Sequence, residues 1–309
     1  MENSDKELVG SLQYYAQRLN MENWLCRRDL DTAMRSPQLS SPRADVDPNV
    51  YKEFFKYTGK LAEKFTNWGV LGYVMTTQSY SNDASGNIGH SFGRKTEDHP
   101  IARAARLAPE EFKDFAVSAL ACAHEHSRYD LGTLIKNKEA FGLKDGDVAD
   151  ILHNSLERRA KDSRFGDSYD KDNLPVSVFY KLMADGNETL LKDFMTRYPK
   201  DFENIAKTTA NYGCDVLRAF GDGERYPVKP EVQEWIDKNP KVYGDIVQTA
   251  VTRHCLSYHP NEQKKEFDGV MNNIVNKDFL ANNPDFVAQT EQKQVQAAIL
   301  KNQQGRGRY

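Results

Sequence analysis

Asp147 to Arg159 reads DVADILHNSLERR. Counted from Val148, apolar residues stand at i, i+3 and i+4 (Val148, Ile151, Leu152). A small residue, Ser155, stands at i+7, and an acid, Asp150, at i+2. On a helix of 3.6 residues per turn these apolar positions share one face. The stretch is therefore an amphipathic helix with one small residue on its apolar face, where a second helix can approach closely. The same marks recur from Tyr51, Phe112, Phe202 and Tyr243. The apolar pairs there are Phe54 and Phe55, Phe115 and Ala116, Ile205 and Ala206, Ile246 and Val247. The i+7 residues are Thr58, Ala119, Thr209 and Ala250, and the i+2 residues are Glu53, Asp114, Asn204 and Asp245.

Proline stands three residues before four of the five starts, at Pro48, Pro109, Pro199 and Pro240. Proline suits a first helical turn, where its missing N–H would have no partner and its φ is already helical. Asp47 and Asn239 precede two of these prolines and are expected N-caps. Val46 with Tyr51, Leu107 with Phe112, and Leu143 with Val148 have the spacing of a hydrophobic staple. The acid at i+2 lies near the helix start, where the dipole favours negative charge.

The five starts are 61, 36, 54 and 41 residues apart. That range resembles the periods of helix-pair repeats of the tetratricopeptide or HEAT kind, although no named repeat signature is present. The expected fold is all-α, with irregular, α-solenoid-like helix-pair repeats. A long polar loop is inserted at about 76–100, TTQSYSNDASGNIGHSFGRKTEDHP. A second polar loop is expected at 161–174. Both insertions follow a first helix, so a regular stack brings them to one edge, the usual binding side of such arrays. The domain reading is an N-terminal helical segment at 1–35, a Ser/Pro-rich linker at 36–47, a repeat-like domain at 48–302, and a disordered tail at 303–309. A last helix is expected from Pro284, capped by Asn283, with Thr290 and Glu291 in place of the apolar pair. A more polar face suits a terminal, capping repeat.

With 39% hydrophobic residues in a chain of 309, a sizeable core is available. The net charge of −3 supplies no global basic field for nucleic acid. The four cysteines, Cys26, Cys122, Cys214 and Cys255, are too widely spaced for a disulfide scaffold. The N-terminus is polar rather than a signal sequence, and no apolar run approaches the ~18 residues that span a bilayer. The expected setting is the cytoplasm. A signal-less secreted effector has the same sequence character.

Three short patterns suggest chemistry. Gly89-His90-Ser91-Phe92-Gly93 resembles the G-x-S-x-G nucleophile elbow over five residues. The elbow needs a buried strand before it and a helix after it; SNDASGNI and RKTEDHP supply neither. Gly89 to Thr96 nearly spells a phosphate loop, but Arg94 stands where glycine must precede the lysine. Backbone N–H groups beside Arg94 and Lys95 could still hold an anion. Cys122 with His126, and Cys255 with His259, share an i, i+4 spacing that could furnish zinc ligands. Small buried cysteines explain those positions more simply, and no metal or cofactor is expected. Asp167, Asp170 and Asp172 crowd one loop without the ligand order of a calcium site.

With no complete catalytic constellation, the expected function is a non-enzymatic scaffold or adaptor that binds a protein partner. The expected contacts are His90, Ser91, Arg94, Lys95, Arg103 and Arg106. Two alternatives belong to other classes. One is an enzyme, a hydrolase or phosphate-handling protein, using the 76–100 loop. The other is a nucleic-acid-binding helical repeat using the same arginines with the Arg306-Gly307-Arg308 tail.

Overall fold

The structure is a computed structural model that describes residues 52–53, 55–56, 59, 100–122, 127–163, 169–184, 187–221 and 227–306. The expected linker at 36–47 and nearly all of the 76–100 insertion lie outside them. Helix dominates and no strand occurs among the described residues, so the fold is all-α. The chain divides into two compact units, Met1–Lys181 and Leu182–Tyr309.

In the first unit the helices are α1 (Pro100–Leu107), α2 (Pro109–Cys122), α3 (Ser127–Lys136), α4 (Asp145–Lys161) and α5 (Tyr169–Ala184), the last running across the unit boundary. Lys52, Glu53, Phe55, Lys56 and Gly59 are also helical. The second unit holds α6 (Glu188–Arg197), α7 (Pro199–Ala210), α8 (Asp215–Phe220), α9 (Pro230–Lys238), α10 (Pro240–Leu256), α11 (Gln263–Asn273), α12 (Lys277–Asn282) and α13 (Phe286–Arg306).

Every described residue on the repeated apolar face is buried. Phe112, Val148, Phe202 and Tyr243 are all inaccessible, as are the pairs that follow them and the small residues Ala119, Ser155, Thr209 and Ala250. The first copy contributes Phe55, which stacks on Phe115 at 5.7 Å and meets Phe112 edge-on at 5.3 Å. Phe141, after α3, closes the cluster against Phe112 at 5.0 Å. Helices that carry this pattern pack in pairs: α2 on α4 in the first unit, and α7 on α10 in the second. Small residues mark the close approaches. Ser155 Oγ on α4 lies 3.5 Å from the Val117 carbonyl of α2. A Cβ at Gly59 would stand 3.8 Å from the Phe115 Cα.

Polar groups fix the α2–α4 contact at both ends. Lys113 on α2 bridges Asp147 on α4 at 2.7 Å. Burial pushes the Asp147 carboxyl up, but the Lys113 ammonium and the Lys144 N–H outweigh it and hold the carboxyl below its ordinary value. At the other end Arg159, only 1% exposed, donates to the Ala121 carbonyl at 2.9 Å. That carbonyl belongs to the last turn of α2, whose acceptors have no intrahelical donor.

The second unit is built around α10, which carries α7, α8, α9, α11 and α13. A run of rings passes through it. Phe202 meets Trp235 at 5.1 Å, Phe220 meets Tyr243 at 5.3 Å, Tyr243 meets Phe279 at 4.9 Å, and Phe279 meets Phe286 at 4.9 Å. Gly244 lies under the end of this run. A Cβ there would come within 3.1 Å of the Phe286 ring and 3.5 Å of the Phe279 ring. In α11, by contrast, nothing lies within 4 Å of a Cβ at Gly269. Gly244→Ala should therefore lower stability by about 1 kcal/mol, overpacking outweighing the helix propensity gained. Gly269→Ala should raise it by about 0.5 to 1 kcal/mol. Chemical denaturation of both variants checks the opposite signs.

Several sequence expectations are corrected. Asn239 does not cap α10 with its side chain. It is the single residue between α9 and α10, and its amide donates back to the Trp235 carbonyl at 2.9 Å. Asn283 behaves alike, donating to the Phe279 carbonyl at 2.8 Å, and α13 begins at Phe286 rather than Pro284. Asn187 and Asn276 do cap with their side chains, accepting from the Leu190 and Phe279 N–H groups. Leu107, expected to staple against Phe112, is 44% exposed. The 161–174 loop is shorter than expected, because α5 starts at Tyr169 and runs through Pro175. Proline inside a helix is costly, and here Leu174, Val178 and Phe179, all buried, bind the helix down on both sides of it.

Candidate functional site

Four of the residues expected to make contacts, His90, Ser91, Arg94 and Lys95, lie outside the described residues. So do the elbow-like pentapeptide, His126 and Asp167. Arg103 lies on α1, where only its backbone is described. Arg106 has a structural engagement. Its guanidinium donates to the Ala140 carbonyl, and its stem lies 3.1 Å from the site of a Cβ at Gly142. Gly142, at φ +73°, takes the left-handed conformation that the turn before α4 requires.

Of the metal-like pairs, Cys122 with His126 is described only at the cysteine, and Cys255 with His259 is described at both residues. Cys122, Cys214 and Cys255 are free and buried, whereas His259 is exposed. Burial pushes the Cys214 thiol up to about 12, with neighbouring Cys255 adding to the effect, and pushes Cys255 up to about 11. These surroundings favour the neutral thiols. Cys214 Sγ lies 3.5 Å from the Ala250 carbonyl. Among the described residues no three His, Cys, Asp or Glu side chains gather at one point.

What the first unit does offer is a groove of about 540 Å³ between the first-copy helix, α2 and the end of α4. Phe55, Gly59, Phe115 and Val117 form its apolar lining. Lys52, Lys56 and Arg158 bring positive charge, and Glu53, Glu111 and Asp114 bring negative charge. With Phe55, Phe112 and Phe115 directed inward, the i+2 acids Glu53 and Asp114 fall beside the seam between two helices. Lys52 pairs with Glu111 at 3.7 Å and Lys56 with Glu53 at 3.5 Å, both near the solvent edge. Deeper in, Ser118 Oγ donates to the Asp114 carbonyl at 3.0 Å and accepts from Arg158 Nη1 at 2.8 Å. A serine held by a guanidinium has a cation where a nucleophile needs a base.

The volume of the groove falls within the range of sites that take a small molecule or a few side chains of a larger one. Sequence reasoning missed Lys52, Lys56, Ser118 and Arg158, which belong to no motif. The one available signal was the recurring acid at i+2, which helix-dipole arguments absorbed.

No described helix is long and apolar enough to cross a membrane. No protein-family model matches the chain, and neither does any curated protein or solved structure.

Proposed function

We propose that this chain is a non-enzymatic helical scaffold that binds a protein partner, and that the groove on its first unit takes a segment of that partner. The observation that carries the reading is the composition of the groove: three cations and three acids set around phenylalanine rings. A polyphosphate backbone would meet Glu53, Glu111 and Asp114 and be repelled. A peptide carries both charge signs and apolar side chains, and such a surface complements it. The polar stretch at 76–100, with His90, Ser91, Arg94 and Lys95, follows the same first helix in sequence and is proposed as a further contact. Buried free thiols at Cys122, Cys214 and Cys255 suit a reducing compartment, and the proposal puts the protein in the cytoplasm.

Panning a displayed random-peptide library on wild type and on Lys52→Glu/Lys56→Glu tests the reading. Wild type should enrich peptides with an apolar residue flanked by acids, and the variant should lose them at least tenfold. The melting temperatures should agree closely, because exposed ion pairs contribute ~0 to 1 kcal/mol. Equal recovery on both proteins would remove the groove as the binding site. Salt-dependent binding of labelled single- or double-stranded DNA or RNA would favour the nucleic-acid reading instead, and turnover of generic esters or nucleotides would favour the enzyme.

A further inference from the structure

Beyond the buried Phe286, the last helix reverses the usual amphipathic pattern. Toward α10 and α11 the α13 helix buries polar groups. Thr290 is inaccessible, and Gln294, 5% exposed, donates to Gln263 Oε1 at 2.9 Å. Away from them it exposes Val295, Ile299 and Leu300 at 47%, 51% and 58%. The outward ridge reads Ala288, Gln292, Val295, Gln296, Ile299, Leu300 and Gln303, all exposed and none charged. The chain as a whole is 28% charged, so a surface ridge of seven residues would ordinarily carry about two charges. The two lysines on its flanks are turned back. Lys293 donates to Gln248 Oε1, and Lys301 donates to the Leu256 carbonyl at 2.8 Å. Glu291 is held by Lys264 at 2.7 Å.

We infer that this ridge is a self-association surface and that its occupant is the same ridge on a second copy of the chain. Three features favour a second copy over a different protein. The spacing from Ala288 through Gln292 and Val295 to Ile299 is 4-3-4, the step that keeps one seam facing a partner helix. The ridge carries no charge, so two copies meet without repulsion, and no oppositely charged partner is called for. Glutamine amides both donate and accept, so a two-fold contact satisfies them reciprocally. Helix dipoles favour the antiparallel arrangement. Centred between Ala297 and Ala298, it sets Val295 beside Leu300 of the second copy and Gln292 beside its Gln303.

Sedimentation velocity of the full chain tests this from about 1 to about 200 μM, the span of affinities open to a small contact. The mass should rise with concentration from 35.3 kDa toward twice that value. It should do so equally at low and high salt, since no charge pair is involved. Val295→Lys/Ile299→Lys should stay at 35.3 kDa throughout. Both substitutions are on exposed helix positions and lysine is a good helix former, so circular dichroism should be unchanged. A wild type that remains monomeric overturns the inference, as does a dimer that survives the double substitution or dissociates at high salt.

Discussion

Arg159→Met should lower the free energy of unfolding by about 1 to 3 kcal/mol, the usual loss when a buried acceptor is left without its charged donor. The methionine fills much of the space, so the loss measures the polar contact more than a cavity. Arg159 lies at the end of α4 and reaches a carbonyl in the last turn of α2, at Ala121. Without the guanidinium that buried carbonyl loses a charged donor, and the negative end of the α2 dipole loses a compensating cation. Arg159→Lys keeps the charge but not the planar fork, and should recover part of the loss. Urea titration of the three proteins decides it. A methionine variant within ~1 kcal/mol of wild type would show that the α2–α4 packing holds without the buried cation.

Tyr243→Ala should cost about 3 to 5 kcal/mol, the range for deleting a large aromatic from a core that cannot collapse around the gap. Tyr243 is inaccessible and stands edge-on to Phe220 on one side and Phe279 on the other. Removing it breaks the run of rings at its middle and leaves α8 and α12 without the aromatic partner that α10 supplies. Tyr243→Phe isolates the hydroxyl. The Asn276 N–H donates to that oxygen at 3.3 Å, a long bond, so its loss should cost only about 1 kcal/mol. Burial pushes the Tyr243 hydroxyl well above its ordinary pKa, so it stays protonated through the pH range of any such measurement. If the phenylalanine and alanine variants were equally unstable, the hydrogen bond rather than the ring would be holding the second unit.

The apolar face of each repeated helix was legible because burial follows from a 3.6-residue period, which the order of residues fixes directly. Phe112, Ile151, Phe202 and Ile246 were assigned to the interior on that basis and lie there. Helix ends were read less well, for a local reason. Asn239 and Asn283 each follow one helix and precede another, and a side chain between two helices can serve either. In both cases it turned to the carbonyls behind it. Pro175 is the opposite case: proline disfavours helix locally, and the packing of Leu174, Val178 and Phe179 overrides that preference. The groove was the least legible feature. It joins residues more than a hundred positions apart, Lys52 to Arg158, and depends on which helices pack together. Of the contacts named from the sequence, Arg106 illustrates the same difficulty: an arginine that reads as a free cation is engaged by the Ala140 carbonyl.

The three buried thiols also make the molecule its own clock. Cys122 belongs to the first unit, Cys214 and Cys255 to the second, and a thiol shielded from solvent reacts only when the structure around it opens. In a Cys26→Ser background, the labelling rates of the two sets report the opening of each unit separately, without added probes. Matching rates would mean that the 309 residues unfold as one cooperative body, and divergent rates that each unit has a lifetime of its own.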